Sequence, residues 1–362
     1  MSSRPGGRPR VVLVDPSVLG QSHLLVNLGM VRLCAERFAE VEVVAERAHC
    51  EALVAYGAAS FGQVSFRPYD ASTDLTLRLL RSLDRAAPVV FLNLEYKLFL
   101  RVMASRFSRG RPVYWVLHSH FASPVTSFTS RTKLLARKLL LFTLFKRSKF
   151  IVYGERIRQN LLALVGASVD PDRIESVEHP LGVEQVLPEG SADGPVRIAF
   201  VRGWHAPPAA TEAVLTALAA AAEAEHAFEF SVISNVVLHR PDGSRVISSD
   251  YRERLVRLAD IDLVLYLPTN DYALQASGAL MDSFVSGRPL IGLQTDFQQE
   301  IESLVGPIGF FFESTEQLLD FIGSFREPAR RREIEVRRQN LMNGYRTIMD
   351  RAGLQLGDAL AR

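Results

Sequence analysis

Four groups of residues could carry chemistry in this sequence. His118 and His120 close an apolar stretch in the run Leu117-His-Ser-His-Phe121, and imidazole is the side chain that exchanges protons near neutral pH. Two histidines at that spacing could also ligate a metal. No acidic or cysteine partner stands nearby, however, and a purely structural histidine fits at least one of the two positions. Ser277-Gly278 opens a helix-forming stretch, where free backbone N–H groups and the helix dipole favour an anion, and glycine lets a phosphate approach closely. The third is Asp282, a carboxylate one helical turn on; read plainly, the pair is a helix start and Asp282 a solvated acid. The fourth group is cationic: from Tyr96 to Gly154 there are twelve Lys+Arg and no acid, so this part of the chain faces something anionic.

These groups must be positioned by alternating strands and helices. Val11–Val14 reads as a buried strand, 15–20 as the loop after it, and Ser22–Ala39 as a helix through Leu25, Leu28, Val31, Leu33 and Phe38. Strands follow at Val41–Val44, Val89–Leu92, Val113–Leu117 and Phe150–Tyr153. A Pro/Gly/Ser-rich linker covers 181–195. The alternation then restarts, with strands at Ile198–Val201, Phe228–Ile233, Leu263–Leu267 and Leu290–Gly292. Helices fall at Ala210–Ala222, Tyr251–Leu258, and near Leu280–Val285 and Phe297–Leu304. His239–Arg245 reads as a polar turn. The expectation is α/β: two Rossmann-like parallel-sheet domains facing across a cleft, with the last helix returning to the first domain. The boundaries are a disordered basic tail 1–10, a first domain 11–180, the linker 181–195, a second domain 196–330 and a helical segment 331–362.

Composition agrees with two globular domains. The 362 residues exceed one usual hydrophobic core, and 48% hydrophobic with 23% charged excludes a disordered or collagenous chain. The two cysteines, Cys34 and Cys50, cannot form a disulfide framework, which fits a reducing cytosol. The basic N-terminus runs straight into a short strand and does not resemble a secretion signal. The net charge of +2 conceals an asymmetry: residues 1–185 hold 25 Lys+Arg against 16 Asp+Glu, and the remainder 17 against 24. All five lysines lie between Lys97 and Lys149.

The stretch Asp260–Phe312 carries a resemblance. It runs from a strand to Leu267-Pro268-Thr269, then through a helix with Asp282-Ser283 and the motif Gly287-Arg288-Pro289-Leu290 to Gly306 and Gly309. Over about fifty residues this order resembles the donor half of GT-B glycosyltransferases, especially glycosyltransferase family 4 (group 1). Ile151–Glu184 resembles the segment that leads out of that family's first domain. The resemblance implies a nucleotide-diphosphate sugar bound by Arg202, Gly203, Asp271, Gln275, Ser277, Gly278 and Asp282, with Asp282 accepting both ribose hydroxyls. It places an active-site histidine at His118 and a diphosphate loop at Gly20-Gln21-Ser22-His23. It implies retention of anomeric configuration, no dedicated metal, and no cofactor beyond the sugar nucleotide as co-substrate. If the reaction inverts instead, a general base is needed, and Asp15, His23 and Glu95 are the candidates. There are departures. The family's first glutamate falls at Leu274, leaving Asp271 or Gln275 to substitute. Its diphosphate lysine is missing, so Arg202 acts alone or with Arg240 or Arg245. Asp260-Ile261-Asp262 matches the acidic motif of metal-dependent transferases of another fold, but it precedes a strand, which argues against that use.

The run 131–149 combines seven cations with a Leu/Phe face, as does an amphipathic helix at a membrane interface; a domain helix with solvated charges reads equally well. Arg131, Lys133, Arg137, Lys138 and Lys146, with Gly20 and His120, form the expected acceptor and membrane face. Aromatics are not interleaved with the cations, which disfavours nucleic acid. The expected partners are a nucleotide sugar, a glycan or lipid-linked acceptor, and an anionic membrane surface. The expected place is cytoplasmic, peripheral at the inner face of a bacterial plasma membrane, in surface-polysaccharide or glycolipid assembly; 37 arginines against five lysines fit a GC-rich genome. The rivals are a nucleotide-sugar epimerase and a non-catalytic relative that binds sugar nucleotides or scaffolds a membrane complex. A dehydrogenase is disfavoured, since no Gly-x-Gly-x-x-Gly follows the first strand.

Overall fold

The computed structural model describes residues 10–16, 23–70, 77–109, 111–118, 136, 138–144, 147–166, 169–186, 194–201, 209–225, 228–233, 236–239, 245–248, 251–268, 273–326 and 328–361. It divides into two units. The first holds 1–183, 270–276 and 348–362; the second holds 184–269 and 277–347.

The first unit is built on seven strands: β1 (Arg10–Val14), β2 (Glu40–Glu46), β3 (Val64–Tyr69), β4 (Val89–Phe91), β5 (Val113–Val116), β6 (Lys149–Tyr153) and β7 (Ile174–Val177). They pair in parallel in the order β3-β2-β1-β4-β5-β6-β7. Most of these strands are short apolar runs buried along their length, as a sheet covered on both faces requires. At the centre the Trp115 ring stacks on Phe91 at 3.9 Å and meets the edge of Phe99 at 5.2 Å, so β4, β5 and the helix Tyr96–Ala104 are packed rigidly together. The order reverses between β1 and β4. A crevice opens beyond the carboxyl ends of strands at such a point.

The second unit begins with β8 (Val196–Val201) and β9 (Phe228–Ile233), followed by an antiparallel hairpin of β10 (Val236–His239) and β11 (Arg245–Ser248). Its sheet is completed by β12 (Leu263–Tyr266), β13 (Leu290–Leu293) and β14 (Gly309–Phe312), all parallel, in the order β14-β13-β12-β8-β9. Its reversal lies between β8 and β12. The residues after β8, including Arg202 and Gly203, lie outside the described residues.

Several boundaries differ from the sequence expectation. The sheet starts at Arg10, which the tail was expected to include, because its guanidinium meets Glu42 at 2.9 Å and Glu40 at 3.7 Å. The expected linker is packed at its start. Leu181 N donates to Met349 Sδ at 3.1 Å, while Gln185 Nε2 donates to Phe284 O at 2.9 Å and Val186 N to Val285 O at 2.8 Å. In the cationic run, Leu139–Leu144 forms a wide helical turn instead of a continuous α-helix. The buried Arg173 explains it: its guanidinium donates to the carbonyls of Leu141 (3.1 Å), Phe142 (2.7 Å) and Ser148 (3.0 Å), taking up oxygens an α-helix would have used. His239 pairs across the hairpin with Arg245, and 240–244, expected as a turn, lie outside the described residues. The last helix spans Pro328–Ala361, and within the first unit Tyr114 Oη donates to Ala359 O at 2.7 Å.

Candidate active site

Beyond the carboxyl ends of the first sheet lies a chain of rings. The His23 and His118 centroids are 4.8 Å apart, His118 and Tyr153 5.3 Å, and Tyr153 and His179 4.9 Å. His118 follows β5, Tyr153 ends β6, and His179 lies just past β7. His23 caps the helix Leu24–Arg37 with φ 55°, the one non-glycine residue with positive φ among the described residues. Holding a bulky residue in that conformation costs energy, and such strain gathers at working sites.

Carbonyls only accept, so His118 must donate Nε2–H to Leu92 O, 2.9 Å away, and His179 must donate Nδ1–H to Pro180 O at 3.0 Å. The other nitrogen of each ring is thereby assigned. Desolvation by its neighbours holds His23 below the usual imidazole range, and the nearby Asp15 pulls it back up. Burial takes His179 down to about 4. Both rings are neutral at pH 7 and can accept protons.

Asp15, only 1% exposed, sits directly after β1. Its side chain accepts a short hydrogen bond from Asn27 Nδ2, and Tyr69 Oη donates to its carbonyl at 2.8 Å. Asn27 Nδ2 also lies 3.0 Å from His49 Nε2, which is 3.8 Å from Asp15 Oδ2. The Tyr153 hydroxyl is buried without a hydrogen-bond partner, and burial raises its pKa further. Glu95, a possible base by sequence, is engaged elsewhere: its two oxygens cap the helix Tyr96–Ala104 through Lys97 N (3.1 Å) and Leu98 N (2.5 Å).

In the second unit the chain leaves β12 and enters the helix Gly278–Ser286, so this helix starts on the carboxyl side of its sheet. Ser277, fully buried, caps it by accepting from Leu280 N at 3.3 Å. A Cβ added at Gly278 would meet nothing within 4 Å, so the first turn opens onto free space. Asp282 is a largely buried carboxylate 3.5 Å from the Arg254 guanidinium. Asp262 lies at the opposite, amino-terminal end of β12. It accepts from Arg197 N at 2.9 Å and pairs with Arg197 and Arg338, a structural tie between β8 and β12.

Neither a family model nor a curated protein sequence matches the chain. Solved structures do. The glycosyltransferase of kitacinnamycin aligns over 99% of both chains with TM-score 0.55 at 14% identity. A glycosyltransferase from Rickettsia africae aligns over 99% of this chain and 100% of its own, with TM-score 0.58 at 10% identity. The Anabaena protein HepE, solved with UDP-glucose, covers 97% of this chain and 98% of its own, with TM-score 0.56 at 14% identity.

The chain has the GT-B glycosyltransferase fold.

On the first GT-B sheet the structure brings Asp15, His23 and His118 together. Lys138, expected on the acceptor face, donates to Leu164 O at 3.4 Å. Gln275 is half-buried, in the segment 270–276 that belongs to the first unit. Ser277, Gly278 and Asp282 share one helix of the second. Gly20, His120, Arg131, Lys133, Arg137, Lys146, Arg202, Gly203 and Asp271 lie outside the described residues. Sequence reasoning missed Asn27, His49, Tyr69, Tyr153 and His179. One signal was readable: Asn27 is a polar residue inside the apolar helix Leu24–Arg37, and a buried amide there needs a polar partner.

Proposed function

We propose that this protein transfers a sugar from a nucleoside-diphosphate donor to an acceptor hydroxyl. The observation that carries the reading is His23: neutral, open to solvent, held in a left-handed conformation, and set between His118 and the field of Asp15. In the reaction the acceptor O–H gives its proton to a nitrogen of His23. The freed oxygen forms its bond to the anomeric carbon, and the bond from that carbon to the diphosphate oxygen breaks. The nucleoside diphosphate departs with the electron pair. In the second unit the N-terminus of the helix Gly278–Ser286 is suited to the charge of a departing diphosphate, and no dedicated metal is proposed. Asp282 and its partner Arg254 bind the nucleotide's ribose.

The resemblance to family 4 implies retention. His23 favours a second reading: a base beside a carboxylate suits direct attack, which inverts the anomeric centre. Product NMR separates the two. The acid-free stretch from Tyr96 to Gly154 supports a lipid-linked or glycan acceptor at an anionic membrane surface, on the cytoplasmic side in bacterial surface-polysaccharide or glycolipid assembly. Among the described residues no helix is long and apolar enough to cross a membrane.

The test is a thermal-shift screen against UDP-, GDP-, ADP- and TDP-glucose, followed by nucleotide-release assays with and without EDTA. A donor at one hundred times its Kd stabilises by about 2.7 kcal/mol. One nucleotide should shift the melt and be released with EDTA present. If no sugar nucleotide shifts it, the reading fails.

A further inference from the structure

We propose that Asn27 and His49 are positioning residues that hold the Asp15 carboxylate at the end of β1 and, through it, set the orientation and charge environment of His23. The proposal rests on the reading of His23 as the proton acceptor.

The argument starts from hydrogen-bond capacity. An amide nitrogen has two protons and nothing to accept with, so every atom it bonds must offer a lone pair. Asn27 Nδ2 faces two: Asp15 Oδ2, in the short contact, and His49 Nε2 at 3.0 Å. His49 Nε2 is therefore unprotonated, its proton is on Nδ1, and the ring is neutral. The 3.8 Å approach of His49 to Asp15 is thus not an ion pair, and the amide is the link between them. Rotating the amide would turn its oxygen toward a carboxylate, so the neutral His49 lone pair keeps the donor side facing Asp15.

All three residues are buried: Asp15 is 1% exposed, Asn27 1% and His49 0%. A buried carboxylate keeps its charge only where donors satisfy it. Removing the Asn27 donor favours protonation of Asp15, and its attraction for a proton on His23 goes with it. The helix Arg47–Ala55 brings His49 to this network. Its N-cap oxygen, from Glu46, is spent on His49 N at 3.2 Å, which anchors the ring's backbone.

Among the described residues, other ionisable groups also lie around the pair. His118 after β5 and His179 after β7 face His23, the latter neutral. Tyr69 from β3 and Tyr153 from β6 feel Asp15 but stay protonated, because burial raises both. Cys34, on the same helix as Asn27, is pushed up to about 12 and stays a thiol. Among the described residues Asp15 is thus the charged group whose loss would move His23.

The test reads His23 directly. The eight histidines are labelled with 13C, the His23 resonance is assigned by its loss in His23→Gln, and its titration is followed by NMR. Asp15→Asn sets the full effect: the His23 pKa should fall by about 1 unit, the scale of one lost opposite charge. Asn27→Leu and His49→Leu should move it the same way, and His49→Gln, which returns a lone-pair acceptor, should restore it. The acid limb of the kcat pH profile should follow. If Asp15→Asn or both leucine variants leave the His23 titration unchanged, the proposal is overturned. Should a leucine variant fail to fold, the near-isosteric Asp15→Asn and the His49→Gln variant still decide it. A titration that shifts as expected while kcat does not would support the positioning roles and overturn the reading of His23 as the base.

Discussion

His118 Nε2 lies 2.9 Å from the carbonyl oxygen of Leu92, and because a carbonyl can only accept, this bond places a ring proton of His118 on Nε2. The bond also joins the ends of β4 and β5 next to the reversal in strand order, so the ring is oriented by backbone and not by another mobile side chain.

Two substitutions separate this ring's structural and chemical roles. His118→Gln can keep an N–H on Leu92 O while removing Nδ1. It should melt within a few degrees of the parent yet lose about 100-fold or more in kcat, the scale of a proton-transfer or orienting group. His118→Phe should lose both activity and stability. Full activity in His118→Gln would make the histidine a structural strut.

Stability should fall as the solution is acidified, for a reason the folded state dictates. His179 is held down at about 4, while an unfolded histidine titrates near 6.5. Between those values the unfolded chain binds more protons than the folded one, so stability is present above about pH 6.5 and is lost as pH falls toward 4. The gap corresponds to an upper figure of about 3 kcal/mol at full burial, and His23 adds to it in the same direction. Urea melts at pH 7 and pH 4.5 should show the drop, with a smaller one in His179→Gln. An equal drop in that variant would place the acid sensitivity elsewhere.

Asp262 supports a prediction of the opposite kind, because its surroundings are structural. Replacing it with alanine leaves Arg197 N without its acceptor and takes a buried counter-charge from Arg197 and Arg338, the latter keeping Glu335 at 2.9 Å. Breaking such a buried arrangement costs about 3–5 kcal/mol. Asp262→Ala should therefore unfold at lower urea, while the folded fraction binds nucleotide with unchanged Kd. A selective loss of nucleotide or metal affinity, with stability intact, would contradict the structural role.

How much of this could be read in the sequence depended on the signal each element gives. Phe228–Ile233 and Tyr251–Leu258 were legible to the residue, because an apolar run or a helical period marks an element directly. β3 was not. It is an edge strand of alternating exposure that carries Pro68, and the missing N–H is tolerated only because one side has no partner strand. β7 breaks its apolar run with Glu175 and Ser176, so it shows neither a continuous apolar strand nor an alternation. The site divides the same way. His118 and Ser277-Gly278 announce themselves by position after a strand and before a helix. His49 and His179 come near His23 only through the parallel pairing of distant strands, which local spacing does not encode.

Two glycines in the second unit offer a paired test of the anion site. At Gly292 an added Cβ would lie 1.7 Å from the Tyr266 carbonyl, so Gly292→Ala must push β13 away from β12. Its cost should exceed about 4 kcal/mol, the range reserved for strain that cannot relax. At Gly278 the same methyl meets nothing, and stability should stay within about 0.5 kcal/mol. Yet a phosphate on the first-turn N–H groups would contact that methyl. Gly278→Ala should therefore weaken nucleotide binding by about 1.4 kcal/mol or more, a tenfold rise in Kd, in a protein that melts normally. Calorimetric titration with the nucleotide found in the thermal screen decides it. An unchanged Kd would show that the diphosphate is bound away from this helix, and the loop after β8 would then be the place to look.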